Sequence, residues 1–241
     1  MLIGRKLSKH FGSTVALDGV DCIVEPGRLT AIIGPSGSGK STLLRALSLI
    51  DPPDSGQIEL DGKSYTFPAD RLTFEPPWPR LTVVFQQFFL WPHLTLRENI
   101  LLPIRRRKIS GAEGKLQTLL ATFDMAGFIN RYPNETSQGQ RQRAALARAF
   151  LLEPAYILLD EVTSSLDVES VAAVLEHLRV LCAEGIGLLL ITHTLGFLQQ
   201  SADYVIFLDS GRTLESGGKE ILEKPQHPRF KRFVSLLQRA T

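Results

Sequence analysis

The sequence predicts an α/β fold, and three stretches carry that prediction. An apolar run, Leu29 to Ile33, leads into Gly34-Pro35-Ser36-Gly37-Ser38-Gly39-Lys40-Ser41, and a helical pattern from Ser41 to Ile50 follows, with leucines at 43, 44 and 47. A second run, Tyr156-Ile157-Leu158-Leu159-Asp160-Glu161, reads as a buried parallel strand ending in two acids. A third strand, Gly187 to Ile191, is followed by His193. In open α/β sheets ligands bind beyond the carboxyl ends of the strands, so the residues closing these runs are the candidates for function.

Taken in order, Met1 to Phe11 alternates as a strand and contains Arg5, Lys6 and Lys9, which is unlike a secretory signal. After the loop and helix at 34 to 50 comes a strand pair around Gln57 to Asp61. Thr66 to Arg80 holds Pro68, Pro76, Pro77 and Pro79 and reads as an exposed loop with no assigned role. Residues from about 88 to 152 read as helical. Within them Ser137 and Gln140 have the S-x-x-Q spacing of a capping box, ahead of an alanine-rich helix from Arg141 to Leu152. A helix follows at Val168 to Cys182, with Asp167 placed as its N-cap. The strand Tyr204 to Leu208, a turn at Gly211 toward Thr213-Leu214-Glu215, and a short basic helix from Arg229 to Arg239 close the chain. No internal repeat or low-complexity tract is present, and the expected organisation is one domain.

Residues 34 to 41 fit G-x-x-x-x-G-K-[ST] in the strand–loop–helix context that motif requires. Its glycines let the backbone wrap phosphates, Lys40 supplies a charge to their outer oxygens, and the Ser41 hydroxyl can ligate magnesium. Asp160 is the matching magnesium partner, and Glu161 can polarise an attacking water or accept its proton. Ser137-Gln138-Gly139-Gln140 opens a second helix with free N–H groups and the positive end of a dipole. Two anion-binding helix starts with one acid pair suggest that the second serves a neighbour's nucleotide.

Composition sets the outer bounds. The chain has 241 residues, 44% hydrophobic content and a net charge of +2, enough for a large core and without strong bias toward nucleic acid. Its two cysteines, Cys22 and Cys182, lack zinc-motif spacing and are expected to be buried thiols. These features suit a soluble intracellular protein, and no apolar stretch is long enough to span a bilayer.

Together these elements resemble the nucleotide-binding subunit of ATP-binding cassette (ABC) transporters over nearly the whole chain. The resemblance implies a P-loop NTPase fold of ABC type: a mixed sheet core with an antiparallel β region and a helical subdomain. Residues 1–241 would be a single ABC ATPase domain, with 1–87 and 153–241 as nucleotide-binding core and 88–152 as helical subdomain. It implies ATP contacts at Phe11, through an adenine stack, and along Gly34, Pro35, Ser36, Gly37, Ser38, Gly39, Lys40, Ser41 and Thr42. Ser137, Gly139, Gln140 and Asp167 would reach a nucleotide held by the opposing subunit. Magnesium would be held by Ser41, Gln86 and Asp160, and catalysis carried by Glu161, His193 and Gln86. Read alone, Phe11 suits a core aromatic, Gln86 a polar strand end and His193 a structural histidine.

Two departures from the family's pattern stand out. Gln138 replaces a usual glycine, which strains the chain only if that position needs φ > 0, and Val162 replaces a usual proline after Glu161. Phe88-Phe89-Leu90-Trp91-Pro92 reads from its residues as core of the helical part, and the resemblance implies that part of it is one wall of a groove for a short helix from a membrane subunit. Arg105-Arg106-Arg107-Lys108 reads first as a solvated face and second as a lipid-headgroup contact.

The stretches Ile32 to Leu47, Val84 to His93 and Arg97-Glu98-Asn99, with Pro225, His227-Pro228-Arg229 and Phe233, look most like bacterial polar amino acid importers. That likeness implies a homodimer or a pair with a similar ATPase, integral membrane permease subunits and a solute-binding protein. It places the chain peripherally on the cytoplasmic face of the inner membrane, with no nucleic acid partner. The alternatives are the ATPase of an export or lipid-directed ABC system, or a soluble ABC-type ATPase acting on DNA or ribosomes. The latter usually carry two cassettes or a long coiled coil, and sustained heptads are lacking here.

Overall fold

The computed structural model describes residues 1–69, 75–105, 111–162 and 168–240. Its centre is a six-stranded sheet in which the apolar runs alternate between two cores. The strands are β3 (Leu29–Ile33), β6 (Leu81–Val84), β7 (Tyr156–Asp160), β8 (Gly187–Ile191), β9 (Tyr204–Asp209) and β10 (Arg212–Gly217), in the order β10-β9-β3-β8-β7-β6. All are parallel except β10, which returns antiparallel on β9 through the turn at Gly211. Along β7, Ile157 and Leu159 face one core while Tyr156 and Leu158 face the other, and β8 and β9 divide the same way. A period-2 backbone covered on both sides needs apolar residues at every position, which is why these strands read as unbroken runs. Burying each such leucine or isoleucine contributes about 1.5–3 kcal/mol.

One face is covered by an antiparallel sheet and a helix. The strands β1 (Leu2–Phe11), β2 (Thr14–Val24), β4 (Ser55–Leu60) and β5 (Lys63–Phe67) pair in the order β2-β1-β4-β5, and α1 (Lys40–Leu47) packs beneath them. The other face carries α2 (Leu96–Leu101), α3 (Ala112–Thr122), α4 (Gln138–Phe150), α5 (Val168–Ala183), α6 (Leu195–Ser201) and α7 (Pro228–Ala240). Short 3₁₀ turns lie at Leu102–Ile104, Pro133–Glu135 and Lys219–Leu222. α2 opens on a full capping box, Thr95 with Glu98, and packs against α4.

Several boundaries differ from the sequence expectation, each for a local reason. α1 stops at Leu47 rather than Ile50, because Leu49 turns to φ 58° and Pro52-Pro53 follow. α4 starts at Gln138 rather than Arg141, directly after its cap, and ends at Phe150 rather than Leu152, before Glu153 (φ 48°) and Pro154. The expected exposed loop from Thr66 begins two residues late: Thr66 and Phe67 belong to β5, and Phe67 is buried. Helices between 88 and 152 begin only at Leu96. Cys22 is buried, its thiol pushed up to about 12 by desolvation, whereas Cys182 is only half-buried. Asp167, Arg106, Arg107 and Lys108 lie outside the described residues.

Candidate active site

Four neighbouring parallel strands end on the same side of the sheet, and the residues just past their ends form one cluster. β3 delivers Gly34, β7 delivers Asp160 and Glu161, β8 delivers His193, and β6 delivers Gln86. The strand ends at Asp160, so Glu161 lies off the sheet, with φ 50° and its N–H donated to Ile191 O at 3.0 Å. That bond ties the end of β7 to the end of β8 and turns the Glu161 carboxylate toward both flanking strands. Glu161 Oε1 lies 3.0 Å from His193 Nε2, and Gln86 Nε2 donates to Glu161 Oε2 at 3.3 Å. The turn carrying His193 is held by Thr192, whose Oγ1 accepts the Thr194 N–H at 3.2 Å. Three residues widely separated in sequence thus meet at one carboxylate.

The loop at 34–41 wraps beside this cluster. Gly34 and Gly39 sit at φ 154° and 105°, and a Cβ on them would approach Leu208 O to 2.0 Å and Ala16 O to 2.4 Å. No side chain fits either place. The Lys40 ammonium donates to the carbonyls of Gly34 and Pro35, both at 2.8 Å, so the loop is curled around its own cation. Burial lowers the Lys40 pKa from its ordinary value, with Glu161 and Asp160 opposing. Burial likewise raises Asp160, against the hydrogen bond it receives from Ser41. Ser36, Gly37 and Ser41 stay exposed, while Thr42 is half-buried.

The donor set fits a phosphate with a divalent cation. The Ser38 hydroxyl is buried with no hydrogen-bond partner, an orphan whose cost a phosphate oxygen would remove. Ser41 and Asp160 are already joined and offer the hard oxygen ligands magnesium requires, and Gln86 keeps its amide oxygen as an acceptor. Among the described residues no group of three or more His, Cys, Asp or Glu could hold a metal by itself. Magnesium held by one or two protein oxygens with phosphates and waters needs no such cage.

The braces of this loop carried no signal in the sequence. Gly211 donates its N–H to Ser38 O at 3.0 Å and accepts from Asp18 N–H at 2.9 Å, so the β9–β10 turn and β2 hold the loop from behind. Phe11 lies at the end of β1 and is 51% exposed, which excludes the core-aromatic reading and leaves its ring open to stacking.

Ser137 and its neighbours lie apart. Ser137 Oγ accepts the Gln140 N–H at 3.2 Å, and the Gln140 side chain accepts the Ser137 N–H at 3.0 Å, completing the expected capping box. Among the described residues no hydrogen bond joins Ser137, Gly139 or Gln140 to residues 34–42. Gln138 is the first helical residue, exposed and outside the left-handed region, so the strain its side chain could have caused there is not present.

Comparison with known proteins gives this arrangement its context. The family described as ABC transporter matches residues 17–164. The chain is similar to the glutamine transport ATP-binding protein GlnQ of Escherichia coli strain K12, at 39% identity over 97% of this chain and 98% of the relative. It is similar to the arginine transport ATP-binding protein ArtM of Bacillus subtilis strain 168 at 38%, over 97% and 98%. A dimeric ATP-binding cassette solved in a post-hydrolysis state with ADP and phosphate superposes with a TM-score of 0.80 at 31% identity, covering 91% of this chain and 99% of that one. A nucleotide-free cassette from an ABC transporter gives 0.81 at 25%, over 97% and 98%. With a family match over more than half of the chain and relatives aligned almost end to end, the protein belongs to the ABC transporter family, as an ATP-binding ATPase subunit.

Proposed function

We propose that the chain hydrolyses ATP to power import of a polar amino acid, and that Glu161 is the base. The contact of Glu161 with both Gln86 and His193, beside Lys40 and Ser41, carries this reading. Residues 34–42 bind the phosphates, with Lys40 neutralising them and the Ser38 and Ser41 hydroxyls donating or ligating. Ser41, Asp160 and Gln86 hold magnesium, which when bound neutralises charge developing on the phosphates. Glu161 accepts the proton of a water attacking the γ-phosphorus; the bond to ADP breaks and inorganic phosphate leaves. His193 and Gln86 fix the Glu161 carboxylate and the water. Phe11 stacks on adenine.

The reading assigns Ser137, Gly139, Gln140 and Asp167 to a second copy's nucleotide, so the working unit is a homodimer or a pair with a similar subunit. Support comes from the isolated capping box at Ser137 and from the dimeric cassette it resembles. Residues 1–87 and 153–241 act as the nucleotide core and 88–152 as the helical part. Among the described residues no helix is long and apolar enough to cross a membrane, so passage of the cargo falls to permease subunits, with a solute-binding protein presenting it. The chain sits on them at the cytoplasmic face of the inner membrane. The amino acid cargo rests on the named relatives, ATP-binding proteins of glutamine transport and of arginine transport. Glu161→Gln tests the base: ATP binding persists, a dimer accumulates on size-exclusion chromatography, and turnover falls about 10²–10⁴-fold. Hydrolysis at the wild-type rate would show that another group is the base. Uptake of labelled amino acids, with and without the protein, tests the cargo.

A further inference from the structure

Lys9 is a buried charge to which the chemistry above gives no work. It lies on β1, two residues before Phe11, with 5% of its surface exposed. An ammonium shut away from water is costly unless it is paired and hydrogen-bonded. Here Nζ donates to Asp51 Oδ1 at 2.8 Å and to Pro52 O at 2.7 Å, with Asp54 Oδ1 at 3.6 Å. All three acceptors belong to the turn between α1 and β4. β1 is clamped to that turn on both sides of Lys9: Asp54 N donates to Ser8 O at 2.8 Å, and His10 N to Asp54 Oδ2 at 2.7 Å. Asp51 N in turn donates to Arg45 O at 3.2 Å, on the helix that Lys40 opens. The same ammonium lies over the Phe11 ring, 5.6 Å from its centre. As a mere fastening, a buried ion pair is no better than an apolar pair of equal volume. What an apolar side chain cannot do is attract the π face of a ring.

We propose that Lys9 is the positioning residue for the base: its ammonium ties the Phe11 ring to the turn after α1 and so fixes the span from the adenine platform to the phosphate loop. The inference rests on the reading above that Phe11 stacks on adenine. A cation against one side of an aromatic ring draws π density toward itself and leaves the other side suited to an electron-rich purine. The tie also orders a half-exposed ring before the nucleotide arrives, so less rotamer freedom is lost on binding. A bare triphosphate gains from neither effect. The influence of Lys9 is therefore confined to ligands that carry a base.

The test is isothermal titration of the full chain with magnesium ATP and, beside it, magnesium tripolyphosphate, which fills the loop without a base. Phe11→Ala is expected to weaken ATP binding about tenfold and Lys9→Met about fivefold, with tripolyphosphate affinity within about twofold of wild type for both. In the double variant Lys9→Met adds nothing to the loss from Phe11→Ala, a dependence that a merely structural lysine would not show. Lys9→Arg, which keeps a cation at the ring, holds ATP affinity within about threefold. If Lys9→Met weakens ATP and tripolyphosphate alike, or the two losses add in the double variant, the lysine supports the fold and the proposal is wrong. If Phe11→Ala weakens ATP binding while Lys9→Met does not, the adenine stack stands and Lys9 has no part in it. Wild-type ATP affinity in Phe11→Ala would remove the stacking role of Phe11 and the proposal with it. Where Lys9→Met fails to fold, Asp51→Asn takes away the anion that anchors the ammonium. It should weaken ATP binding about twofold and leave tripolyphosphate binding unchanged, and an equal effect on both ligands overturns the proposal in the same way.

Discussion

The loop at 34–41 and the helix start at 137–140 are the two places the proposed function gives to phosphate, yet the interactions seen among the described residues brace the loop from distant parts of its own chain and the helix start only locally. Leu208 O, Ala16 O and the Gly211 N–H close on the loop from three strands or turns, and Lys40 fills its inside. Around Ser137 the structure shows local bonds: a capping box within four residues, and Arg141 reaching Pro133 O at 3.2 Å. The first is a pre-organised half-site. The second is a stable surface whose proposed ligand another copy brings. Preorganisation costs nothing at the moment of binding, so the proposed function assigns single-chain nucleotide affinity to the loop and cooperativity to the helix start.

Breaking the loop gives the largest expected effect. In Gly39→Ala the new methyl meets Ala16 O and the backbone must keep φ 105°, a conformation costing about 1–3 kcal/mol for a non-glycine residue. ATP affinity of the dilute chain should fall roughly 10–100-fold by isothermal titration. Unchanged affinity would mean that the loop yields, and that its braces do not pre-organise it.

Ser137→Ala should separate the two elements. The loss of the cap costs about 1 kcal/mol of helix stability. Nucleotide binding by the isolated chain stays at the wild-type level, while steady-state ATPase falls about tenfold and loses its dependence on protein concentration. A parallel loss of single-chain affinity would place Ser137 in the same half-site as Lys40.

Most of the candidate site's assembly was legible in the sequence because it is written in local order. Lys40, Asp160, Glu161 and His193 each close a strand or open a helix, and a strand end must point at the shared edge of the sheet. What was not legible depends on contacts distant in sequence. Nothing near Ala16, Leu208 or Gly211 announces that they confine Gly34, Ser38 and Gly39. Likewise, Phe88 and Leu90 pack on the core while Phe89 and Trp91 are 59% and 53% exposed, a division that alternation permits but cannot assign. The capping box foretold a helix at Ser137 and missed its first three residues, since Gln138 and Gly139 carry no helical pattern of their own.

A smaller effect comes from a brace remote from both elements. Asp61 accepts from the Met1 amine at 2.5 Å and the Tyr156 hydroxyl at 2.6 Å, and pairs with Arg80. Partial burial works against its charge, but these hydrogen bonds outweigh it and hold the carboxyl at about 2. Because this value lies below that of the unfolded chain, the contribution is complete above about pH 4 and is lost as pH falls toward 2. Asp61→Asn should cost about 0.5–1 kcal/mol at neutral pH, since the site is largely exposed, and should flatten the fall of Tm between pH 4 and 2. An unchanged acid slope would show that other carboxylates carry it.

The smallest effect sharpens the comparison most. Gln138 departs from the family's glycine, and a glycine at the first helical position would matter if the backbone there were left-handed. It is helical and exposed, so glycine relieves no strain and gives up helix propensity of at most about 1 kcal/mol, less at a helix end. Gln138→Gly should therefore leave Tm within about 4 °C of wild type and ATPase within about twofold. A rise well beyond that would mean the glutamine side chain obstructs the approaching copy. The departure would then be a brake acting on assembly, with the helix itself unaffected, and the brake would show only at protein concentrations where dimers form.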